Sequence, residues 1–178
     1  MEKANEVKGL VQSAYNEVYN AEKFCESYCV KAQKIGLQGS KRKLRYESVG
    51  WHQLKLFLLT DFYDFYGDEL NMEHKEQQIS TVTGVQDFYR KLLNYYEKLY
   101  NTLHSLSNSL VISNASAYSK HLNEKCACIM ESIKHYRRTI IEGDNCGWNL
   151  VWLYQHETTD YNTHDTYEAK EKEKGYPT

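Results

Sequence analysis

Between Gly67 and Val85 the chain reads Asp68-Glu-Leu-Asn-Met-Glu-His-Lys-Glu-Gln-Gln-Ile-Ser-Thr-Val-Thr-Gly84, a stretch with no sustained apolar face. On both sides of it the helical period is strong. A rotation of about 100° per residue gathers Leu44, Trp51, Leu54, Leu58, Phe62 and Phe65 on one face of a helix over about 41–66, which Gly67 ends. Beyond the stretch, Phe88, Leu92, Tyr96, Leu99, Leu103, Leu106 and Leu110 share a face over about 85–111. Further out, Val7, Leu10, Val11, Ala14, Val18, Ala21, Cys25, Cys29 and Ala32 stripe a first helix over about 4–35, followed by a turn bracketed by Gly36 and Gly39 with Ser40 as the next N-cap. Ser113 and Asn114 break the third helix, and a fourth over about 115–142 turns Leu122, Cys126, Ile129, Ile133, Tyr136 and Ile140 inward. Gly143 and Gly147 close it, and Trp148, Leu150, Val151, Trp152 and Leu153 are expected to dock on the bundle.

The connections are therefore short, long and short. Short turns join antiparallel neighbours, whereas seventeen residues at up to about 3.3 Å each can cross the length of a bundle. The expected fold is all-α: a four-helix bundle made of two hairpins, with a long crossover between helices 2 and 3 and a docked C-terminal segment. One domain is expected over 1–166, with a flexible charged tail over 167–178.

The composition agrees with one soluble domain: 178 residues, 41% hydrophobic and 26% charged, with Pro177 the single proline and so no helix breaker before it. A net charge of -2 offers little general attraction for nucleic acid or an anionic membrane. No apolar run nears the roughly 18 residues of a membrane span, and Met1 to Leu10 lacks the apolar core of a secretory signal, so an intracellular, cytoplasmic site and no membrane partner are expected. Cys25, Cys29, Cys126, Cys128 and Cys146 are odd in number and sit mostly within helices, which fits reduced thiols, the first four as small core residues. Sixteen tyrosines are assigned chiefly to packing.

In its topology the chain resembles the ferritin-like superfamily. Locally, Ala14-Tyr-Asn-Glu17 through Lys34-Ile-Gly36 is similar to the first helix of rubrerythrin-type members, and His121-Leu-Asn-Glu124 to the start of the ferritin fourth helix. The resemblance implies a di-iron site built from inward glutamates on four helices, with Glu-x-x-His on two of them. That repeated motif is absent, and where the fourth helix needs Glu and His three apart this chain has Lys125 and Cys128. Glu17 borders the first stripe and Glu47 lies within the second, but counting from the turn they differ in height by roughly 18 Å and cannot share a metal. Asp61 is level with Glu17, leaving Glu17 and Asp61 as the one pair from this hairpin open to a metal. Glu97, His104 and Glu124 face away from their stripes.

His121, Glu124, Cys128, Glu131 and His135 form a second set of metal-ligand types along the back of the fourth helix, suited to iron or zinc, yet about 20 Å long and so readable as a solvated face. His156, Asp160 and His164 would align if the end of the chain were helical. Charge clusters point to macromolecular partners. Lys41, Arg42, Lys43 and Arg45 stand at the positive pole of the second helix, and Asp61, Asp64 and Asp68 at its negative pole, interleaved with Phe62, Tyr63, Phe65 and Tyr66. The basic end suits an anion or RNA, and the acidic aromatic end, with Tyr63, a protein. Arg45 and His52 also fit the Arg-x6-His spacing of HEPN ribonucleases, in which arginine steadies phosphate charge and histidine moves a proton.

Three functional readings follow, in order. The first is a noncatalytic helical bundle that binds a protein, alone or as an oligomer. The second is a divergent metal-binding oxidase or iron store, and the third a HEPN-like ribonuclease.

Overall fold

The computed structural model describes residues 2–74 and 77–158. Four long helices, α1 (Glu2–Lys34), α2 (Gln38–Tyr66), α3 (Val85–Ile112) and α4 (Ser116–Asn145), form the bundle. A fifth helix, α5, is described over 150–158. There is no strand among the described residues. His156 lies in α5, whereas Asp160, His164 and the charged tail over 167–178 lie outside the described residues.

Each turn has a residue that suits it. Gly36 adopts φ 79° between α1 and α2, and Gly67 ends α2 at φ 66° while donating its N–H to the Tyr63 carbonyl at 2.8 Å. Both conformations are left-handed and carry no penalty for glycine. Between α3 and α4, Asn114 takes the left-handed place at φ 59°.

Helix α1 packs against α2, α3 against α4, and α1 against α3. The crossover runs along α1 and is fastened to it at successive levels. Lys8 pairs with Asp68 at 2.5 Å, the Gln12 side chain brackets the Asn71 backbone through two hydrogen bonds of 2.6 and 2.9 Å, and His74 stacks on Tyr19 with ring centroids 3.7 Å apart. Having climbed α1, the chain starts α3 beside the far end of α1, where Phe88 meets Tyr28. Helices α2 and α3 therefore run parallel: Ser40 bonds Tyr89, and Glu47 bonds Tyr96 seven residues further along both.

Three sequence expectations are corrected. Phe65 is 76% exposed rather than inward. The stripe Leu54, Leu58, Phe62 advances in fours, and the next step of four lands on Tyr66, which packs on the core instead. Leu150 and Val151 face outward; docking is done by Trp148, Leu153 and their neighbours, because the left-handed Trp148 (φ 56°) redirects the chain and lays its ring on Gly143. Cys128 is exposed while Cys126 is buried, since two positions on a helix differ by about 200°. All five cysteines are free thiols.

Candidate functional site

Inside the bundle, roughly a third of the way along it from the α1–α2 turn, four polar side chains meet, one from each long helix: Cys25 from α1, Glu47 from α2, Tyr96 from α3 and Ser132 from α4. Cys25 and Tyr96 are buried, and Glu47 is half-buried. The Tyr96 hydroxyl donates to Glu47 Oε2, and Ser132 Oγ donates to Glu47 Oε1 at 3.0 Å. With its proton given to Glu47, the phenol oxygen accepts from the Cys25 thiol, 3.5 Å away. Burial pushes both the Cys25 thiol and the Tyr96 phenol well above their ordinary pKa values, and nearby Glu47 adds to both shifts. Both groups stay protonated. Lys125 of α4 acts electrostatically on Cys25, its ammonium 5.0 Å from the Trp51 ring centre and in the space that a side chain at Gly50 would fill.

A second polar cluster sits near the start of α2. Glu157 of α5 is only 7% exposed. Its Oε2 accepts the Ser40 backbone N–H at 2.9 Å, and its Oε1 accepts the Ser40 hydroxyl at 2.9 Å and the Tyr89 hydroxyl. Beside it His156 bonds Thr139 at 3.2 Å and stacks on His135, whose pKa falls to about 3 because it is buried among Lys43, His156 and Arg138. A third buried carboxylate, Glu22 on α1, is held by Lys55 at 2.6 Å and His52 at 2.9 Å on α2.

The residues singled out from sequence are dispersed. Glu17 faces Tyr95 on α3, and burial raises its pKa, whereas Asp61 lies against Tyr118 on α4. His121 and Glu124 approach to 4.0 Å and share a shallow groove with Cys128, Glu131 pairs with Lys134, and His135 turns toward α5. Among the described residues no three His, Cys, Asp or Glu side chains gather closely enough to hold a metal ion, so the proposed ligand sets are not assembled. The back of α4 is too long to converge, and its residues take local partners. Arg45 acts electrostatically on Cys29, and His52 bonds Glu22 at 2.9 Å. In the basic cluster Lys43 lies over the Tyr136 ring at 4.8 Å, and Lys41, Arg42 and Arg45 stand around the α2 start. The acidic cluster divides: Asp61 lies against Tyr118 and Asp68, though exposed, pairs with Lys8, while Tyr63, Asp64 and Phe65 are exposed between them.

The Cys25, Tyr96 and Ser132 roles and the Glu157 anchor are absent from the sequence reading. Glu47 inside an apolar stripe was the available signal.

No family model and no curated protein matches the chain. Solved structures do. The bacterioferritin of Desulfovibrio desulfuricans superposes with a TM-score of 0.74 at 9% identity, over 87% of this chain and 88% of that one. The fold is ferritin-like. An Archaeoglobus fulgidus ferritin engineered into a closed form matches with a TM-score of 0.68 at 13% identity, over 90% of this chain and 94% of that one. The open-pore ferritin of the same archaeon gives 0.67 at 12% identity, over 90% and 96%.

The bacterioferritin carries a diiron site. In this ferritin-like fold these four inward side chains do not fit a pair of irons. They offer one carboxylate, a phenol and a thiol that both hold their protons, and a hydroxyl. Two iron ions need several anionic oxygens at one depth, and this cluster supplies one carboxylate.

Proposed function

We propose that this chain is a noncatalytic ferritin-fold module that binds another protein. The observation that carries this reading is the cluster inside the bundle, where the one carboxylate is already satisfied by Tyr96 and Ser132. A site so closed leaves the surface as the working part. At the acidic end of α2, Tyr63 and Phe65 are exposed around Asp64, an aromatic and charged combination suited to a protein contact.

The alternative of a metal-binding oxidase or iron store is favoured by the likeness to ferritins. Anaerobic Fe(II) titration of the purified protein separates the two. The module reading expects well below one iron per chain and no oxygen uptake; two irons per chain with oxygen consumption would overturn it. For the surface, Asp64→Lys combined with Tyr63→Ala should abolish partner capture with helicity unchanged. Asp61 and Asp68 are left unsubstituted in this test because each has a partner elsewhere in the chain, Tyr118 and Lys8.

A further inference from the structure

The net charge of -2 conceals an uneven distribution. Helices α2 and α3 finish at the end of the bundle where α1 and α4 begin. Among the described residues at that end, Glu2, Glu6, Asp64 and Glu69 outnumber Lys3 and Lys120, and Lys8 and Asp68 cancel as a pair. At the opposite end Lys31, Lys34, Lys41, Lys43 and Arg138 outnumber Glu142, while Arg90 and Arg137 are taken up by Asp144 and Glu97. The 29 residues of α2 separate the two ends by roughly 43 Å, so the acidic and basic faces of one chain cannot meet.

Each end also exposes large apolar side chains. At the acidic end Tyr63, Phe65, Met72, Val111 and Ile112 are 52 to 81% exposed. At the basic end Leu150, Val151 and Tyr154 form the outer face of α5, and they and Ile141 of α4 are 61 to 79% exposed. Helix α5 is a fixed platform for this face, because Trp148 and Leu153 pack on the core and Glu157 holds Ser40 and Tyr89. Lys43 of α2 and Arg138 of α4 flank it: both act on His135, which stacks on His156 of α5. Exposed apolar groups beside charge are the composition of a protein interface, and a net charge so near zero sets up little repulsion between copies.

We propose that the two ends bind each other in successive copies of this chain, the acidic aromatic end of one copy docking on the α5 face of the next. This rests on the protein-binding reading above and names its partner, a second copy. Charge complementarity chooses the pairing: like ends repel, whereas Asp64 and Glu69 of one copy come to face Lys43 and Arg138 of its neighbour. Because the two faces differ, the contact is heterologous. One copy holds a neighbour at each end, and association runs past a dimer to a ring or an open chain.

Sedimentation equilibrium of the full chain at rising concentration tests this. The mass should climb past that of a dimer. Raising salt from about 0.1 M to about 1 M, which shortens the screening length from about 10 Å to about 3 Å, should weaken the association at least tenfold. Asp64→Lys with Tyr63→Ala disables the acidic end, and Arg138→Glu with Leu150→Ser disables the α5 face. Each variant alone should stay monomeric, and an equimolar mixture should form a dimer and nothing larger, since each copy brings one intact face. Leu150→Ser with Val151→Ser serves if the Arg138 variant loses its cooperative unfolding. A chain that stays monomeric at low salt, a mixture that stays monomeric, association that persists in either variant alone, or association indifferent to salt would overturn the proposal. A monomeric chain that captures a different protein through Tyr63 and Asp64 would keep the reading above and overturn this one. Iron uptake bears on the reading above and leaves these masses unchanged, so the two fail separately.

Discussion

Tyr96 and His135 show how burial sets the behaviour of single residues. The Tyr96 hydroxyl is one of two donors to Glu47, so Tyr96→Phe leaves a largely enclosed carboxylate short of a partner. A loss of about 1 to 3 kcal/mol is expected, seen as a lower urea midpoint at unchanged slope. Tyr63→Phe, at an exposed site, should stay within about 0.5 kcal/mol and serves as the control. His135 carries a pH prediction whose sign follows from its surroundings. Burial beside Lys43, His156 and Arg138 lowers its pKa to about 3 from 6.5. Between these values the unfolded chain binds a proton that the folded chain refuses, so stability falls as pH drops below 6.5, by up to about 1.4 kcal/mol per unit. Urea midpoints measured from pH 7 to 5 should therefore decline less steeply in His135→Gln than in the unsubstituted chain. Parallel profiles would show that the folded protein accepts the proton.

At the scale of elements, two glycines on neighbouring helices make a matched experiment. A methyl at Gly143 would come within 2.7 Å of the Trp148 ring, whereas one at Gly50 would meet the Lys125 ammonium at 2.6 Å. The indole is rigid and anchors the approach to α5, so Gly143→Ala should cost about 1 to 3 kcal/mol and alter tryptophan fluorescence. The ammonium is the far end of a flexible chain, and alanine is the better helix former by up to about 1 kcal/mol, so Gly50→Ala should be neutral or stabilising. The same contrast explains what the sequence discloses. The four helices and their pairing are legible because period and connection length are local properties, and the stripe over Leu44 to Phe62 needs no knowledge of its partner. The cluster inside the bundle was not, since Cys25 and Tyr96 read as members of apolar stripes and acquire their chemistry only when α1, α3 and Glu47 converge. Glu157 is harder still. Its role as the cap of α2 depends on a turn at Trp148 in a conformation that no periodicity announces.

For the whole molecule, the arrangement of helices and the chemistry inside them lead in different directions. Topology links the chain to ferritins through two hairpins and a crossover fastened along α1 at Lys8, Gln12 and Tyr19. Identities of 9 to 13% make the likeness one of fold, and the interior of this chain holds one carboxylate among a phenol, a thiol and a hydroxyl. A helix bundle keeps its packing when inward polar residues change, provided that each remains satisfied; here Tyr96 and Ser132 bond Glu47, and Cys25 bonds Tyr96. Global stability should then be indifferent to iron. A ligand at 100 times its dissociation constant stabilises the folded state by about 2.7 kcal/mol, which for a chain of this size raises the melting temperature by roughly 5 to 10 °C. Calorimetry under anaerobic conditions, with and without excess Fe(II), should give melting temperatures within about 1 °C of each other. A rise of several degrees that chelation reverses would mean that the interior rearranges to bind metal, with Glu47 released from Tyr96 and Ser132.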